Sequence, residues 1–173
     1  MEIRVTEELR KLTPTAFTDL IRIGNESDGG YVVPKCSIIG VQTLVSFGVG
    51  SNWSFEQDIE ELIPDIKIYG FDHTVSLAYF LRKTFNGFVK SLIKYNFSKH
   101  LRPRLNHLSR YFRFWSIKRN NTHVQIEITK QNVFNIVKKY SRNSNFGVKI
   151  DIEGGEFEIL PEIFGPLRGA NFV

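Results

Sequence analysis

The chain has 173 residues, of which 42% are hydrophobic and 24% charged, and its formal net charge is +5. This composition excludes a disordered tail or a low-complexity linker, and the length predicts a single domain over residues 1–173 with a buried core. The single cysteine, Cys36, excludes a disulfide-built scaffold, and neither a secretory signal nor a transmembrane segment is visible. We therefore expect a cytoplasmic protein.

The first predicted elements are short. Residues 1–21 are interpreted as an N-terminal helical extension, with one helix that Pro14 ends and a second helical piece around Leu20 and Ile21. A turn over residues 25–30 then leads into a short apolar run that Pro34 closes.

A more regular pattern follows. Residues 44–47 predict a buried strand with a glycine turn after it. Ser54 and Gln57 match a capping box at the start of an amphipathic helix. Residues 66–71 predict a second strand that ends at Asp72, so this part of the chain forms one βαβ unit.

The second half of the chain continues the alternation of helices and strands. A helical pattern over residues 77–95 predicts a helix, and Pro103 interrupts this pattern. The elements predicted after it are a half-buried strand at 124–128, a helix at 133–140, a strand at 147–152, a helix at 157–163 and a strand from residue 170. This order predicts an α/β fold with a mostly parallel sheet.

The charges are distributed unevenly. Between Asp72 and Glu127 there is no acidic residue, yet this stretch holds eleven of the 23 cations and all four histidines, interleaved with aromatic residues. One interpretation is a solvated helical face over an aromatic core. Another is a surface for an anionic partner, which would include a nucleic-acid-binding module over residues 82–119. We expect an anionic acceptor or a membrane-proximal glycan rather than nucleic acid, because apolar residues separate the cations.

Three groups of polar or glycine residues come directly after predicted strands. They are the turn of Gly48 and Gly50, the carboxylate of Asp72, and the acidic cluster at residues 151–156. Ligands of parallel α/β sheets bind beyond the carboxyl ends of the strands. The sequence therefore predicts a binding site at this edge of the sheet.

The glycine turn suggests the class of ligand. Gly48 and Gly50 match the first two glycines of a dinucleotide fingerprint, and Asp72 follows 24 residues after Gly48, near the spacing of a ribose-binding acid. Trp53 occupies the place of the third glycine, where a large indole should keep a pyrophosphate from the helix N-terminus. A nucleoside without pyrophosphate fits better, and S-adenosylmethionine is such a ligand.

Four segments of the chain resemble the FkbM-type family of S-adenosylmethionine-dependent methyltransferases. They are residues 22–34, 45–56, 69–74 and 148–160, and the most specific is the K-I-D-I-E-G-G-E block that begins at Lys149. Their order and spacing agree with the family over residues 22–173. The resemblance implies a Rossmann-like methyltransferase fold and O-methylation of a hydroxyl on a sugar, a glycan or a secondary metabolite.

The resemblance also implies roles for individual residues. Asp72 would accept hydrogen bonds from the ribose, and Asp151 and Glu153 would lie below the methyl group and the acceptor. The segment of Asp28 and Gly29 is either a wall over the cofactor or an ordinary tight turn. The cofactor-binding residues implied in this way are Asp28, Gly29, Gly48, Gly50, Asn52, Asp72 and Asp151.

Methyl transfer to a hydroxyl requires a base within hydrogen-bond reach of the acceptor. Asp151 is the first candidate, and His123 or His73 is the second; the predicted catalytic residues are Asp151, Glu153 and His123. A metal held by oxygen ligands from the same acidic cluster is an alternative, but no histidine joins the cluster in sequence, and we expect none.

The end of the chain departs from the family pattern. A complete sheet of this family would have seven strands, whereas this sequence stops at the start of about the fifth, near Phe172. We therefore expect a sheet truncated at its C-terminus with an open edge that favours self-association. A non-catalytic relative that acts through protein contacts is a further alternative.

Overall fold

The computed structural model describes residues 19–26, 29–94, 96–115, 120–141, 145–167 and 170–172. Its strands form a two-stranded antiparallel hairpin and a five-stranded parallel sheet. The strands are β1 (Leu20–Gly24), β2 (Gly30–Pro34), β3 (Thr43–Phe47), β4 (Lys67–Phe71), β5 (Asn121–Val124), β6 (Phe146–Ile150) and β7 (Ala170–Phe172). The helices are α1 (Lys35–Ile38), α2 (Ser54–Leu62), α3 (Leu77–Ile93), α4 (Phe97–His100), α5 (Arg102–Phe114), α6 (Val133–Tyr140) and α7 (Glu156–Leu167).

The parallel sheet has the strand order β5-β4-β3-β6-β7. The central strand β3 pairs with β4 on one side and with β6 on the other, so the direction of winding reverses at β3. This is the order of the first five strands of a doubly wound Rossmann-like sheet. The predicted α/β class, the parallel sheet and the βαβ unit around α2 are confirmed.

Helices cover both faces of the sheet. All five residues of β3 are buried. Leu44 belongs to an apolar cluster with side chains of α2, α3 and α5, whereas Val45 and Phe47 belong to a second cluster with side chains of α6 and α7. Because both of its faces are covered, β3 is an almost continuous apolar run, as parallel strands usually are.

The helical extension predicted for residues 1–21 is wrong at its C-terminal end, where the structure has a strand. Leu20 and Ile21 lie in β1, which pairs with β2 in an antiparallel register from Leu20 opposite Pro34 to Gly24 opposite Gly30. Ile23 is buried while Arg22 is exposed, which is the two-residue period of a strand. The remainder of the proposed extension, residues 1–18, lies outside the described residues.

Three smaller expectations also change. Pro103 lies in the first turn of α5, where its missing N–H is tolerated, so it begins this helix rather than only ending the preceding one. The half-buried strand lies at Asn121–Val124 instead of 124–128. The capping box does not form, because Ser54 Oγ accepts a hydrogen bond from the N–H of Asn25 and α2 has no side-chain cap.

The strand at residue 170 pairs with β6 as expected. Ala170 lies opposite Phe146, and Phe172 lies opposite Gly147, both in parallel register. Among the described residues, no strand pairs with the other side of β7. Truncation and self-association through this edge stay predictions. No helix in the described part of the chain is long and apolar enough to cross a bilayer.

Gly48 provides a test of this arrangement at the end of β3. Its φ is +73°, and a Cβ there would lie 1.7 Å from the carbonyl oxygen of Asp151. Gly40 is a matched control, because its φ is +77° and the nearest atom to a Cβ would be 3.8 Å away. We expect Gly40→Ala to lower the free energy of unfolding by about 1–2 kcal/mol, the cost of the left-handed backbone. Gly48→Ala should lower it by roughly 4 kcal/mol or more, because backbone must also move.

Urea unfolding followed by tryptophan fluorescence measures both values. Equal unfolding midpoints for the two variants would contradict the close contact between Gly48 and Asp151.

Candidate functional site

Three strand ends meet at one edge of the sheet. The N–H of Gly48 donates to the carbonyl of Phe71 at 2.9 Å, and the N–H of Asp151 donates to the carbonyl of Phe47 at 3.0 Å. These bonds extend the ladder one residue beyond β3 and β6. The glycine turn, Asp72 and Asp151 therefore lie next to one another at the point where the winding of the sheet reverses, which is where such sheets bind ligands.

A cleft of about 530 Å³ opens over this edge. Its volume is within the range of about 300–1,000 Å³ that is usual for small-molecule sites. It brings together seven of the residues predicted from the sequence: Gly29, Gly48, Gly50, Asn52, Asp72, Asp151 and Glu153. Asp28 lies outside the described residues. His123 does not line the cleft, although His73 does.

The floor of the cleft is backbone. Gly50 has a φ of +60°, and a Cβ there would meet nothing within 4 Å. Its N–H donates to Asp72 Oδ2 at 2.7 Å. The second glycine of the turn therefore leaves open space where any other residue would place a side chain, and a ligand can approach the backbone directly.

Asp72 is mostly buried and anchors the loop that follows β4. Besides the bond from Gly50, it accepts hydrogen bonds on Oδ1 from the N–H and hydroxyl of Thr74, both at 2.6 Å, and from the N–H of Val75 at 3.0 Å. Burial alone would raise the pKa of Asp72, but the hydrogen bonds from Thr74, Gly50 and Val75 together hold it below its usual value. Asp72 thus organises the edge of the cleft as well as lining it.

The lining of the cleft is acidic. Asp72, Asp151 and Glu153 line it, and no lysine or arginine does so among the described residues. Such a lining repels a pyrophosphate and attracts a ligand that carries positive charge.

The ring of Trp53 is buried in the helical layer, with its centroid 5.9 Å from those of Phe80 and Tyr111.

A buried ion pair lies beneath the cleft. Glu56 in α2 is fully buried, and its Oε1 accepts a hydrogen bond from the hydroxyl of Ser46 and lies 3.5 Å from the Nζ of Lys149. Lys149, in β6, is only 6% exposed, and its Nζ also donates to the carbonyl of Gly48 at 3.4 Å. The pair ties α2 and two strands to the glycine turn.

This ion pair was not predicted from the sequence. Glu56 precedes Ile59 and Ile63 by three and seven residues, so it lies on the apolar face of its helix, and this spacing was the available signal. Lys149 interrupts the apolar run of a buried strand, which indicates a buried partner.

The hairpin of β1 and β2 forms a wall of the site. The hydroxyl of Tyr31 donates to Asp151 Oδ2 at 2.6 Å, and the Nζ of Lys149 lies 3.6 Å from the same oxygen. Gly29 lines the cleft next to Asn52, whose Nδ2 would lie 2.6 Å from a Cβ at Gly29. Tyr31 was not predicted, because nothing in the sequence shows that the hairpin packs against the end of β6.

The other two acidic residues of the cluster differ in their surroundings: Glu156 binds backbone N–H groups, and Glu153 is exposed to solvent. Glu156 accepts hydrogen bonds from the N–H of Ile152 at 3.1 Å and from the N–H of Gly154 at 2.8 Å. Glu153 is exposed and has a φ of +46°. Within the described ranges, no group of three histidine, cysteine or acidic side chains is placed to hold a metal ion.

His123 lies in β5, away from the cleft lining. Its Nδ1 shares a hydrogen bond of 2.9 Å with the hydroxyl of Tyr111, and the ring of Trp115 lies 5.4 Å away. Burial lowers the pKa of His123, and the charge of Asp72 opposes this only in part. The structure thus places His123 as a neutral, packed side chain and leaves Asp151 and His73 at the cleft.

Comparisons with known proteins yield no relative for this chain. No family model, no curated protein and no solved structure matches it. The strand order indicates a Rossmann-like arrangement, but a fold of this kind supports many unrelated activities. Any functional interpretation therefore depends on the chemistry of the cleft.

Lys149→Met tests the buried ion pair. This change leaves the carboxylate of Glu56 buried without its cation, which typically costs about 3–5 kcal/mol of the free energy of unfolding. The double variant Glu56→Gln/Lys149→Met removes both charges and should recover part of that loss. Lys67→Met, at an exposed lysine on β4, is the control and should change stability by less than about 0.5 kcal/mol. Urea unfolding measures all three, and a Lys149→Met variant as stable as the control would show that the pair contributes nothing.

The lowered pKa of His123 predicts how stability depends on pH. Below its usual value of 6.5, the unfolded chain binds a proton at His123 more readily than the folded chain does. The free energy of unfolding should therefore fall as the pH is lowered from 6.5 towards the depressed folded-state pKa, and it should be highest above that window.

His123→Asn keeps an acceptor for Tyr111 but cannot titrate. We expect a shallower fall in melting temperature between pH 7.5 and 5 for this variant than for the wild type and for a His73→Asn control. Identical pH profiles for all three proteins would contradict the buried, neutral state of His123.

Proposed function

We propose that this chain is an S-adenosylmethionine-dependent methyltransferase that modifies a hydroxyl of a sugar, a glycan or a secondary metabolite. The observation that carries the proposal is the meeting of the glycine turn, Asp72 and Asp151 around one acidic cleft at the reversal point of a parallel sheet. The same assignment is what the resemblance of four segments to FkbM-type methyltransferases implies.

Three parts of this cofactor fit features of the cleft. Asp72 Oδ2 accepts only the bond from Gly50 among the described hydrogen bonds, which leaves room for a ribose hydroxyl on the same oxygen. The N–H groups of Gly48 and Gly50 already donate to Phe71 and Asp72, so the turn offers the amino acid portion open space above Gly50 rather than hydrogen-bond donors. The negative charge of Asp151 suits the sulfonium, whereas the pyrophosphate of a dinucleotide is anionic and would need positive charge around it.

The chemistry requires few groups from the protein. When bound, the cofactor would supply an electrophilic methyl group for transfer to the acceptor oxygen. Asp151 would receive the proton that the hydroxyl loses, and the hydrogen bond from Tyr31 would orient its carboxylate. Holding the acceptor against the methyl group in the right direction contributes most of the acceleration in such a displacement.

Calorimetric titration tests the proposal without knowledge of the acceptor. We expect saturable binding of S-adenosylmethionine and of S-adenosylhomocysteine, and no comparable binding of NAD⁺. Asp151→Asn removes the negative charge near the sulfonium but not the shape of the site. It should weaken S-adenosylmethionine roughly tenfold, or about 1.4 kcal/mol, and weaken the uncharged S-adenosylhomocysteine much less.

Glu158→Gln is the matched control, because Glu158 is an exposed acid on α7. It should leave both affinities unchanged, and thermal unfolding confirms that each variant is folded. If the wild-type protein binds neither adenosyl compound, or binds NAD⁺ more tightly, the proposed cofactor is wrong. If Asp151→Asn weakens both compounds equally, the proposed role of its charge is wrong.

A further inference from the structure

The longest helix presents its large apolar side chains to solvent. On α3, Leu81, Phe85, Phe88 and Leu92 recur at intervals of four, three and four residues and therefore lie on one face. All four are exposed, Phe85 to 65% of its surface. Phe97 of α4 is 51% exposed and continues this face, with its ring 6.4 Å from that of Phe88. We call these five residues the α3–α4 apolar face.

At the start of the same helix Phe80 packs in the core, and after it the helix packs against the protein through small residues. Gly87 and Ser91 are buried, and a Cβ at Gly87 would lie 2.6 Å from the side chain of Arg104 in α5 and 2.7 Å from the carbonyl of His100. An ordinary surface helix buries its large apolar residues and exposes its polar ones. In α3 large apolar side chains are exposed instead, and the face that they form has no partner among the described residues. Exposed apolar patches of this kind mark sites of interaction.

Cations share α3 and α4 with the apolar face: by the helical period Arg82 flanks the face, and Lys83 and Lys90 lie about half a turn from it. Arg82, Lys83, Lys90, Lys94 and Lys99 are all exposed, and no acidic residue occurs between Asp72 and Glu127 to balance them. A second copy of this chain seated on the same face would bring these like charges together. Nucleic acid would pair with the cations but would leave Leu81 and Leu92 without an apolar partner. An anionic lipid surface satisfies both kinds of side chain.

We propose that the α3–α4 apolar face docks onto an anionic lipid bilayer. The apolar side chains enter the boundary between headgroups and acyl chains, and the cations bind lipid phosphates and carboxylates. This proposal does not depend on the methyltransferase assignment. It places the cleft close to the lipid surface, because His73 and Thr74 line the cleft and α3 begins three residues later at Leu77.

Vesicle flotation with the full chain tests the proposal. We expect the protein to float with vesicles of phosphatidylcholine that contain about 30% phosphatidylserine, and to float weakly with phosphatidylcholine alone. Raising the salt from about 0.1 to 0.5 M should release most of it, because the cations are exposed and screened. Failure to float with the anionic vesicles, or equal flotation with both kinds, would overturn the proposal.

Matched variants test whether vesicle binding depends on this surface or on exposed aromatic side chains in general. Phe85→Ser/Phe88→Ser should reduce the partition onto anionic vesicles by at least about tenfold, because two ring insertions are lost. Phe134→Ser/Phe157→Ser is the control, since these exposed rings lie on α6 and α7 and Phe157 is 86% exposed. Unchanged melting temperatures in both double variants would confirm that only docking is affected.

Two other results would assign the face to a different partner. A stable dimer of the wild-type chain that Phe85→Ser/Phe88→Ser dissociates would assign the face to a second copy. Binding of a random oligonucleotide that displaces the protein from anionic vesicles, and that the same variant abolishes, would assign it to nucleic acid. Either result would overturn the proposal, whereas loss of vesicle binding in this variant alone would support it.

Discussion

The ammonium group of Lys149 holds the edge of the sheet together. It lies 3.5 Å from Glu56 in the helix after β3, 3.6 Å from Asp151 at the end of β6, and 3.4 Å from the carbonyl of Gly48 in the turn between them. Transferring such a charge out of water is costly unless several partners compensate it. Three partners from three separate elements do so here, which means that none of them can move independently. This cation, together with the backbone hydrogen bonds of Gly48 and Asp151, fixes the relative position of the glycine turn and Asp151, on which any ligand would depend.

Charge is divided sharply between two surfaces of the molecule. The cleft carries carboxylates, and the α3–α5 layer that begins beside it carries exposed cations without an acidic residue between Asp72 and Glu127. A cationic ligand would therefore be attracted to the cleft, and an anionic surface to the helices, without competition between them. The molecule thus has two electrostatic faces joined by the loop after β4, which Asp72 organises.

The fold was more predictable from the sequence than the site was. Buried parallel strands such as β3 are short apolar runs that glycine or aspartate ends, so their order and the edge they share could be inferred locally. β1 was assigned to a helix because Leu20 and Ile21 give no period on their own, and their strand conformation depends on pairing with β2. Glu56 and Tyr31 were missed for a related reason: each acts through a partner distant in sequence, Lys149 and Asp151 respectively. A single sequence indicates contacts between distant segments only indirectly.

The pairing of β3 also affects the order in which the molecule can be assembled. β4 lies close to β3 in sequence, but Thr43 pairs on its other side with Phe146, about a hundred residues later. During synthesis, the edge of β3 that pairs with β6 stays unpaired until β6 has left the ribosome. The acidic cleft is therefore among the last features to form, and loop closure over this long separation makes slow folding the expected behaviour of this topology. Until then the unpaired edge of β3 is a site where a chaperone or another nascent chain can bind.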